Sequence, residues 1–551
     1  MGQFIRTLLP AVMLLACVGS RAQITERPRP SEWDSLVRGA RFIDRFLPMP
    51  AGTLSYDTWG AEGVVPRYVD NGIENREWSF WGGNILRGKD GKYHLFVCGW
   101  REDSPRGHNE WPDSFVFNAV SDNTAGPFTV TDTIGRGHNP EAFRLADGRY
   151  VIYVVDRYYI SDSIDGPWSD SRFEFDPRDR RIIEGLSNLT FAKREDGSYL
   201  MICRGGGVWI SETGISPYRQ LTDSRVYPPV AGEFEDPVVW KDNVQYHLIV
   251  NDWLGRIAFY LRSKDGVNWV TDPGEAYMPG IAVHEDGRKE DWFKYERIKV
   301  FQDEYGRAVQ ANFAVIDVLK AEDRGSDNHS SKNISIPLNP GLLLAILDDE
   351  PITARTKEIR VRISAEEGFD PHKDIDLGSL RFGASEEVNY GRGSKVLKTR
   401  KEGRDLIVTF DGAGSGIGSD EFSPKLIGRT KRGALLYGYA RLPYVDYIEP
   451  VLSARAPVFT ASDDGFGIGV EVQNFGQAAS GGAILKIEYD DGGTLETIAA
   501  APIPPLQPYA GTIIPLSCGD IFEKGREYPV IVTIEPERGK VSKLHVNVTP
   551  D

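Results

Sequence analysis

The chain has 551 residues, 40% of them hydrophobic and 26% charged, which is ordinary for a soluble globular protein of several domains. A formal net charge of −16 at pH 7 argues against a nucleic-acid partner, because such partners need a basic face. Aromatic residues make up 11% of the chain, and 58 glycines accompany 34 prolines. Many turn-forming residues together with many aromatics favour β-structure, often with a surface that faces sugars.

The first 22 residues have the pattern of an export signal. Arg6 precedes an apolar run from Leu8 to Val18, and Ser20-Arg21-Ala22 gives a cleavage site before Gln23. The run is too short to span a bilayer and no other stretch approaches that length, so we expect no transmembrane segment. We therefore expect an exported protein of the periplasm or cell surface. A rival interpretation is a lipoprotein anchored through Cys17, because the segment Leu14–Cys17 resembles a lipobox.

A repeat of about fifty residues organises the region 23–345. Each copy has a polar start, an apolar strand, a turn and a second, aromatic-rich strand, and the turns are mostly Asp-Gly, a strong hairpin signal. The copies are GGNILRGKDGKYHLFV from Gly82, HNPEAFRLADGRYVIYVV from His138, LSNLTFAKREDGSYLMIC from Leu186, EDPVVWKDNVQYHLIV from Glu235 and the weaker ERIKVFQDEYGRAVQANFAV from Glu296.

A second repeat follows the first four hairpins and is typical of a connection between a third and a fourth strand. Its copies are SDNTAGPF from Ser121, SDSIDGPW from Ser161, SETGISPY from Ser211 and SKDGVNW from Ser263. Four short strands in each repeat are typical of a propeller blade. The sequence therefore predicts an all-β fold with a five-bladed β-propeller over 23–345.

Beyond residue 345 the blade pattern stops. Alternating strands such as EIRVRIS and DLIVTF occupy 346–455, and FGIGVEVQNFG, GAILKIEY and YPVIVTI lie within 456–551. Short strands at these intervals are typical of sandwiches. We expect two small β-sandwich modules with these boundaries and no catalytic role.

Residues 78 to 320 resemble the five-bladed propeller glycoside hydrolases of families 43, 62 and 117, with families 32 and 68 as relatives. The first-strand motifs, the DGKYHLFV type of second strand and the SDSIDGPW type of turn carry this resemblance. It implies a sugar hydrolase in which acidic residues from three blades point into a central funnel, one as base, one as acid and one tuning a pKa. The last module, with GVEVQNFGQAASGG, resembles the CARDB-type Ig-like modules.

The first residues of each inner strand are expected to point into the funnel. Taking Asn84, Asn139, Asn188, Asp236 and Arg297 as equivalent points places an amide at the first-blade position, where the resemblance implies a base aspartate. An amide cannot take a proton from water, so the base must lie on another blade or the activity must differ. The three asparagines and Arg297 are expected to bind substrate.

Four carboxylates at blade starts are the catalytic candidates. Asp236 precedes a proline, as in the motif of the resembled family, and ranks first as base or pKa-tuning group. Glu235 and Asp236 are neighbours, and neighbouring strand residues face opposite ways, so we expect only one of them in the funnel. Glu141 or Glu296 is then the partner. For each of them the alternative is a solvated or arginine-paired carboxylate.

Other residue types complete the predicted site. His138 precedes the second blade start and is a candidate acid, because imidazole donates a proton near neutral pH. Trp81 and Trp111 are expected to stack on sugar rings. Arg157 and Arg204 are expected to bind substrate, since guanidinium groups bind carboxylate or sulfate in two-point contacts. Three or more arginines in the funnel would indicate a uronic or sulfated sugar.

The sequence indicates no cofactor and no metal ligand set by spacing, although related propellers hold an ion such as calcium on the axis. The favoured interpretation is an exported glycoside hydrolase, inverting and exo-acting by analogy, that cleaves oligosaccharides or polysaccharides. One alternative is a polysaccharide lyase, with His138 as base and arginines neutralising a uronate. The other is a non-catalytic sugar-binding propeller, which amides at three blade starts would favour. The sequence fixes neither the sugar and its linkage nor the oligomeric state.

Overall fold

The computed structural model describes residues 24–55, 62–180, 186–329, 331–462, 464–490 and 495–550. The expected signal segment, residues 1–22 with Cys17, lies outside the described residues. Among the described residues, no helix is long and apolar enough to cross a membrane.

A two-stranded sheet and five larger antiparallel sheets follow each other along the first 337 residues. The small sheet pairs β1 (Leu54–Ser55) with β2 (Arg67–Tyr68). The strands of the five larger sheets are β3 (Trp78–Arg87), β4 (Tyr93–Arg101), β5 (Phe115–Ser121) and β6 (Thr129–Arg136); β7 (Glu141–Arg144), β8 (Tyr150–Val154), β9 (Arg157–Ser161) and β10 (Ser169–Arg172); β11 (Thr190–Lys193), β12 (Tyr199–Ile202), β13 (Val208–Ser211) and β14 (Arg219–Gln220); β15 (Phe234–Lys241), β16 (Tyr246–Asp252), β17 (Ile257–Ser263) and β18 (Val270–Glu275); and β19 (Lys294–Gln302), β20 (Ala308–Ile316) and β21 (Ser331–Pro337).

These five sheets are the blades of a propeller, because their first strands meet around one axis. Strand β3 contacts β7 and β19, and β15 contacts β11 and β19. The ring closes between β7 and β11, where the backbone N–H of Phe191 donates to the Glu141 side chain. The predicted all-β propeller is confirmed.

The strands form where the repeat predicted them because the turn chemistry is local. In each blade an aspartate side chain accepts a hydrogen bond from the backbone N–H two residues later, as Asp90 does from Lys92 and Asp147 from Arg149. Gly91 and Gly148 follow with positive φ. This combination reverses the chain between the first and second strands.

Apolar side chains from adjacent blades pack against each other in five clusters. One cluster, for example, joins Phe96 of the first blade to Ile152 of the second, and another joins Leu200 of the third to Leu248 of the fourth. The N-terminal segment covers the last two blades with Phe42 and Met49. Burial between blades, rather than within any one of them, therefore supplies the core.

Two further pairs of sheets follow the propeller, each around its own apolar cluster. The first pair consists of β22 (Leu344–Ile346), β23 (Glu358–Ile363), β24 (Arg381–Gly383), β25 (Val396–Glu402), β26 (Asp405–Asp411), β27 (Lys425–Arg429) and β28 (Leu435–Tyr439), with helices α1 (Pro371–Asp374) and α2 (Ser385–Val388). The second pair consists of β29 (Leu452–Ala454), β30 (Val458–Ser462), β31 (Gly465–Asn474), β32 (Ala483–Asp490), β33 (Leu495–Ile503), β34 (Gly511–Cys518), β35 (Tyr528–Pro536) and β36 (Ser542–Val548). Short 3₁₀ helices span Ser31–Ser35, Phe42–Arg45, Gly107–Asp113, Leu377–Ser379 and Gly412–Gly414.

The expected boundary at 455/456 separates β29 from the strand it pairs with. Strand β29 lies before that boundary, whereas its partner β31 lies after it. The domain limits and the CARDB-type resemblance of the last module stay predictions.

Candidate functional site

A pocket of about 320 Å³ lies where the inner strands of the blades begin. Its lining comes from all five blades and includes most of the polar blade-start residues. The lining residues are Trp81, His108, Asn109, Trp111, His138, Asn139, Val155, Ser187, Asn188, Arg204, Glu235, Asp236, Trp253, Glu296, Arg297 and Lys320.

One residue at the start of each blade has a left-handed backbone, and four of these five residues line the pocket. The five residues are Gly82, Asn139, Asn188, Asp236 and Arg297, with φ between 51° and 62°. Apart from glycine, asparagine, aspartate and histidine, residues rarely adopt this backbone conformation. Local strain of this kind is common at functional sites. In β3, β15 and β19 the residue lies at a break in strand register.

The first-blade equivalent is therefore Gly82 and not Asn84, which lies two residues further along β3. Gly83 beside it also needs to be glycine, since its φ is 94° and a Cβ atom would lie 2.1 Å from the Phe96 carbonyl oxygen. Asn84 instead binds the next blade. Its side-chain amide donates to the Ala142 carbonyl and accepts from the Ala142 N–H, both at 2.7 Å. Asn84 does not line the pocket, so its position does not support the expected contact with substrate. Among the described residues that line the pocket, no carboxylate comes from the first blade.

The other blade-start side chains form a hydrogen-bonded chain around the axis. The Asn139 amide donates to Asn188 at 2.7 Å, and the Asn188 amide donates to Asp236 at 3.0 Å. The Arg297 backbone N–H and guanidinium donate to the two Asp236 oxygens at 3.0 and 3.2 Å. The amides are thus bonded to each other as well as facing the pocket, which weakens the case for a purely amide-based sugar site.

Glu235 and Asp236 both line the pocket, contrary to expectation. The expected alternation needs regular strand geometry, and the positive φ of Asp236 at the register break removes it. Asp236 is buried, and its two carboxylate oxygens accept hydrogen bonds from the backbone N–H and the guanidinium of Arg297. Burial raises its pKa, while Arg297 opposes that rise and Glu296 adds to it. A carboxylate so fully bonded is poorly placed to act as a base, so the first rank given to Asp236 is not supported by its surroundings.

Glu235 differs from the other pocket carboxylates in its pKa. Burial, followed by the negative charges of Asp236 and Glu296, raises the pKa of Glu235 to about 8, while Lys320 and Arg204 act in the opposite direction. Its nearest cation is Arg204, with 3.4 Å between the guanidinium and Oε2. The side chain keeps 13% of its surface exposed toward the pocket. Glu235 can therefore hold a proton at neutral pH and present it to a ligand.

Glu296 is held as an anion beside Glu235. Its two oxygens accept from Lys294 at 3.2 Å and from Lys320. Burial raises its pKa, but the two ammonium groups outweigh burial and leave the pKa below the ordinary value. Carboxylate oxygens of Glu235, Asp236 and Glu296 lie within 4.8 Å of one another. Glu296 is therefore a fixed negative charge that favours the protonated form of Glu235.

Glu141 lies outside the pocket lining. One of its oxygens pairs with Lys299, and the other accepts from the Phe191 backbone N–H at 3.0 Å. Lys299 also donates to the Leu189 carbonyl at 3.1 Å. This buried pair joins the second, third and fifth blades, so its position favours a structural role over the catalytic one considered from the sequence.

His138 lines the pocket, and its ring is tilted by 43° against that of Trp111, with the ring centroids 4.8 Å apart. Burial lowers its pKa well below the ordinary value, and the charges of Arg297 and Lys320 lower it further. The imidazole is therefore neutral near pH 7. The proton-donor role expected for it needs the imidazolium, which these surroundings disfavour.

Cations surround the acids of the pocket. Arg204, Arg297 and Lys320 line it, giving three cations against two anions when Glu235 holds a proton. Arg157 does not line the pocket, and its guanidinium lies 3.8 Å from Asp170 on the neighbouring outer strand. The position of Arg157 therefore does not support the expected role in substrate binding.

Two of the aromatic residues differ in their access to the pocket. Trp111 is 41% exposed at the rim, which suits stacking on a sugar ring. Trp81 is almost fully buried, with Lys320 over its ring at 4.8 Å. Trp81 therefore packs against Lys320 and offers little exposed ring surface to a sugar.

Sequence reasoning missed Lys320, Trp253 and His108. Lys320 follows β20 and Trp253 follows β16, so both lie in loops that have no fixed phase in the repeat. His108 belongs to the segment Arg106–Asn109, whose sequence RGHN is repeated in Arg136–Asn139 around His138, and this identity is a usable signal. Loop residues of this kind are found only when the blades are closed into a ring.

The group of three carboxylates is a poor fit for calcium. Calcium takes six to eight oxygen ligands. Asp236 and Glu296 already give both oxygens to arginine or lysine, and those cations would repel a metal ion. An ion elsewhere on the propeller axis stays a prediction.

Comparison with known proteins gives matches among solved structures alone. No family model and no curated protein matches the chain. A thermostable family-43 glycoside hydrolase matches at 13% identity and a TM-score of 0.27, with 46% of this chain and 89% of that chain covered. An α-L-arabinofuranosidase from Lactobacillus brevis matches at 12% identity and a TM-score of 0.32, with 46% and 88% covered.

A third match is a family-43 glycoside hydrolase engineered to display both endo-xylanase and exo-arabinofuranosidase activity. Its identity is 11% and its TM-score 0.29, with 91% of this chain and 93% of that chain covered. A fungal alcohol oxidase in complex with copper matches at a TM-score of 0.25. The solved neighbours thus include the family that the repeat motifs resemble, but likeness at these scores carries no argument about activity.

Proposed function

We propose that this chain is a glycoside hydrolase whose general acid is Glu235. The observation that carries the proposal is the pairing of Glu235 with the fixed anion Glu296 in a pocket of about 320 Å³. Cleavage of a glycosidic bond needs a proton on the leaving oxygen, and a carboxyl group with a raised pKa supplies it.

The substrate is an anionic glycan, carrying uronate or sulfate groups. Arg204, Arg297 and Lys320 outnumber the charged acids once Glu235 is protonated, which favours a negative ligand. Trp111 at the rim offers a face for a sugar ring. The pocket volume lies near the lower end for ligand sites, roughly 300–1,000 Å³, which suits the end of a chain and hence exo-action.

Glu296 is not the nucleophile or base in this proposal. Both its oxygens are bonded to lysines, and its distance from Glu235 is shorter than the roughly 6.5–9.5 Å that leaves room for a water in inverting pairs. Its role is to keep Glu235 protonated. Inversion therefore requires a base from another element.

Polysaccharide lyase activity is the second candidate, and the neutral His138 beside several cations favours it. A neutral imidazole can remove the proton next to a uronate while guanidinium groups stabilise the carboxylate. Elimination leaves a double bond that absorbs in the ultraviolet, whereas hydrolysis does not.

The test is a product assay with neutral, uronic and sulfated oligosaccharides in water enriched in ¹⁸O. We expect anionic substrates to be cleaved, with one labelled oxygen in each product pair and loss of cleavage in Glu235→Gln. Products lacking the label and absorbing in the ultraviolet would replace the hydrolase by the lyase. Binding without products would favour a sugar-binding protein.

We further infer export to the periplasm or cell surface, supported by the pattern of residues 1–22. Mass spectrometry of the mature N-terminus separates the alternatives. A terminus at Gln23 would support ordinary cleavage, and a lipid-modified Cys17 would support the lipoprotein.

A further inference from the structure

Among its described lining residues, the pocket holds a proton donor but no carboxylate free to act as base. Asp236 and Glu296 have both oxygens bonded to cationic side chains or backbone, and Glu235 is the acid. Of the two histidines in the described lining, His108 has its ring buried against Trp81 and Trp100, while His138 is partly exposed at the pocket.

The contacts of His138 determine which ring nitrogen carries its proton. Its Nδ1 lies 3.1 Å from Ser114 Oγ and 3.5 Å from Cys98 Sγ. Either neighbour could donate to Nδ1 only if its own proton were free. The other bonds of these two groups show whether that is so.

Both neighbours use their protons elsewhere. The Ser114 hydroxyl has a single proton and lies 2.7 Å from the Trp111 carbonyl and 2.9 Å from the Gly137 carbonyl, neither of which can donate. The Cys98 thiol donates to the Trp81 carbonyl at 3.0 Å. Both carbonyl oxygens lie nearer to Ser114 Oγ than Nδ1 does, which favours a hydroxyl proton directed to a carbonyl. Toward Nδ1 both atoms then accept, which places the hydrogen on Nδ1 and the lone pair on Nε2.

We propose that His138 is the general base of the reaction, and that Ser114 and Cys98 position it by fixing the Nδ1–H tautomer. The inference rests on the proposed function. In the hydrolytic step, Nε2 takes a proton from water as the water oxygen bonds to the anomeric carbon. The bond from that carbon to the leaving oxygen breaks, and this oxygen takes the proton of Glu235. The proton on Nε2 then returns through solvent to Glu235, which restores the starting state.

The charged and titratable groups around His138 are Arg297, Lys320, His108 and Cys98, and burial raises the pKa of the Cys98 thiol, so that it keeps its proton near neutral pH. The two cations disfavour a proton on the ring and so keep Nε2 available as an acceptor near neutral pH. His108 is itself held neutral by burial, with Lys320 acting in the same direction.

The first test observes the tautomer without any substrate. Long-range ¹H–¹⁵N correlation on the full-length protein with ¹⁵N-labelled histidine reports the protonation of each ring nitrogen. The spectrum of His138→Gln identifies the signals of His138. We expect a protonated Nδ1 and an unprotonated Nε2, and a proton on Nε2 at neutral pH would overturn the proposal.

The second test is kinetic. His138→Gln is expected to lower kcat by roughly 10²–10⁴-fold, with KM within a few-fold of the wild type. Ser114→Ala should lower kcat less and populate both tautomers in the NMR spectrum, whereas Ser114→Thr, which keeps the hydroxyl, should restore both. His545→Gln, an exposed histidine in the last sheet, is the matched control. Thermal unfolding curves confirm that each variant is folded.

The outcomes separate this inference from the function on which it rests. Wild-type hydrolysis that survives intact in His138→Gln would refute the base and leave the hydrolase standing. A wild type that turns over no glycan would refute the proposed function, and the NMR spectrum alone would then decide the tautomer. A rate loss in Ser114→Ala that Ser114→Thr does not repair would refute the positioning role of the hydroxyl.

Discussion

One carboxyl group of the pocket, that of Glu235, lies beside like charges, whereas those of Asp236 and Glu296 are bonded to cations. This difference in surroundings separates the roles of the three residues. Glu235 has Asp236 and Glu296 within 4.8 Å, measured between carboxylate oxygens. Its one ion-pair partner among the described residues is Arg204, at 3.4 Å. Glu296 has two ammonium partners. The first therefore retains a proton and the second does not, although they lie side by side.

Replacement of Glu235 tests this difference directly. Glu235→Gln keeps the shape but removes the proton donor, so we expect kcat on an anionic glycan to fall by roughly 10²–10⁴-fold. Glu233→Gln, an exposed glutamate two residues earlier, is the matched control and should retain full activity. Steady-state kinetics of the two variants would contradict the assignment if both retained wild-type kcat.

The pH dependence of kcat/KM carries a second residue-scale prediction. Glu235 acts when protonated, so activity should fall as the pH rises through about 8. Glu296→Gln removes a negative charge beside Glu235 and should lower the pH at which activity falls, the alkaline limb of the profile. Lys320→Met removes a positive neighbour and should move it upward, each by roughly one pH unit. Shifts in the same direction for both variants would contradict the electrostatic account.

At the scale of elements, the inner strands carry both the scaffold and the site. Asn139, Asn188, Asp236 and Arg297 lie in these strands or just before them and line the pocket with left-handed backbones. The same strands also carry the pair Glu141–Lys299, which joins three blades. A buried pair that loses one member leaves the other charge without compensation. The same strand thus contributes chemistry at one end and cohesion further along.

Glu141→Gln should therefore destabilise the protein without removing its chemistry. We expect a loss of about 1–3 kcal/mol in the free energy of unfolding, because burial lowers the pKa of Lys299 well below its ordinary value and its buried amine loses a hydrogen-bond partner. The double variant Glu141→Gln/Lys299→Met should recover part of it. Denaturant unfolding measures the stability, and kcat for each folded variant should stay near the wild-type value; a loss of kcat at full stability would return Glu141 to the catalytic set.

The blades could be predicted from the sequence because their signals are local, whereas much of the site could not. Asp-Gly turns and alternating apolar residues fix hairpins within about twenty residues of chain. Two features of the site depend on register breaks that the alternation rule ignores. They are the place of Gly82, instead of Asn84, as the first-blade equivalent and the shared orientation of Glu235 and Asp236. Lys320 reaches the pocket from a loop outside the repeat, and only closure of the ring brings it to Glu296.

At the scale of the whole molecule, buried polar groups tie the propeller to the sheets that follow it. Arg262 on β17 pairs with Asp272 at 2.9 Å and donates to Ser423 of the middle sheets at 2.8 Å. Arg194 of the third blade donates to the Phe475 carbonyl of the last sheets at 2.9 Å. Apolar clusters also cross both boundaries. These contacts favour folding as one cooperative unit.

Calorimetry of the full chain should accordingly show one main unfolding transition. Arg262→Met leaves Asp272 buried without its ion-pair partner and should lower the midpoint temperature of the whole transition. The expected loss in the free energy of unfolding is about 3–5 kcal/mol. Arg360→Met removes an exposed pair with Asp348 and should cost less than about 1 kcal/mol. Separate transitions in the wild type, or an equal effect of the two variants, would contradict a single unit.

The central claim is that Glu235 holds a proton at neutral pH, and ¹³C NMR titration of glutamate side-chain carboxyl groups measures this directly. The signal absent from the Glu235→Gln spectrum identifies Glu235. The account predicts that this carboxyl group titrates near pH 8. A midpoint near the ordinary glutamate value, about 4.3, would contradict the claim and with it the role of Glu235 as general acid.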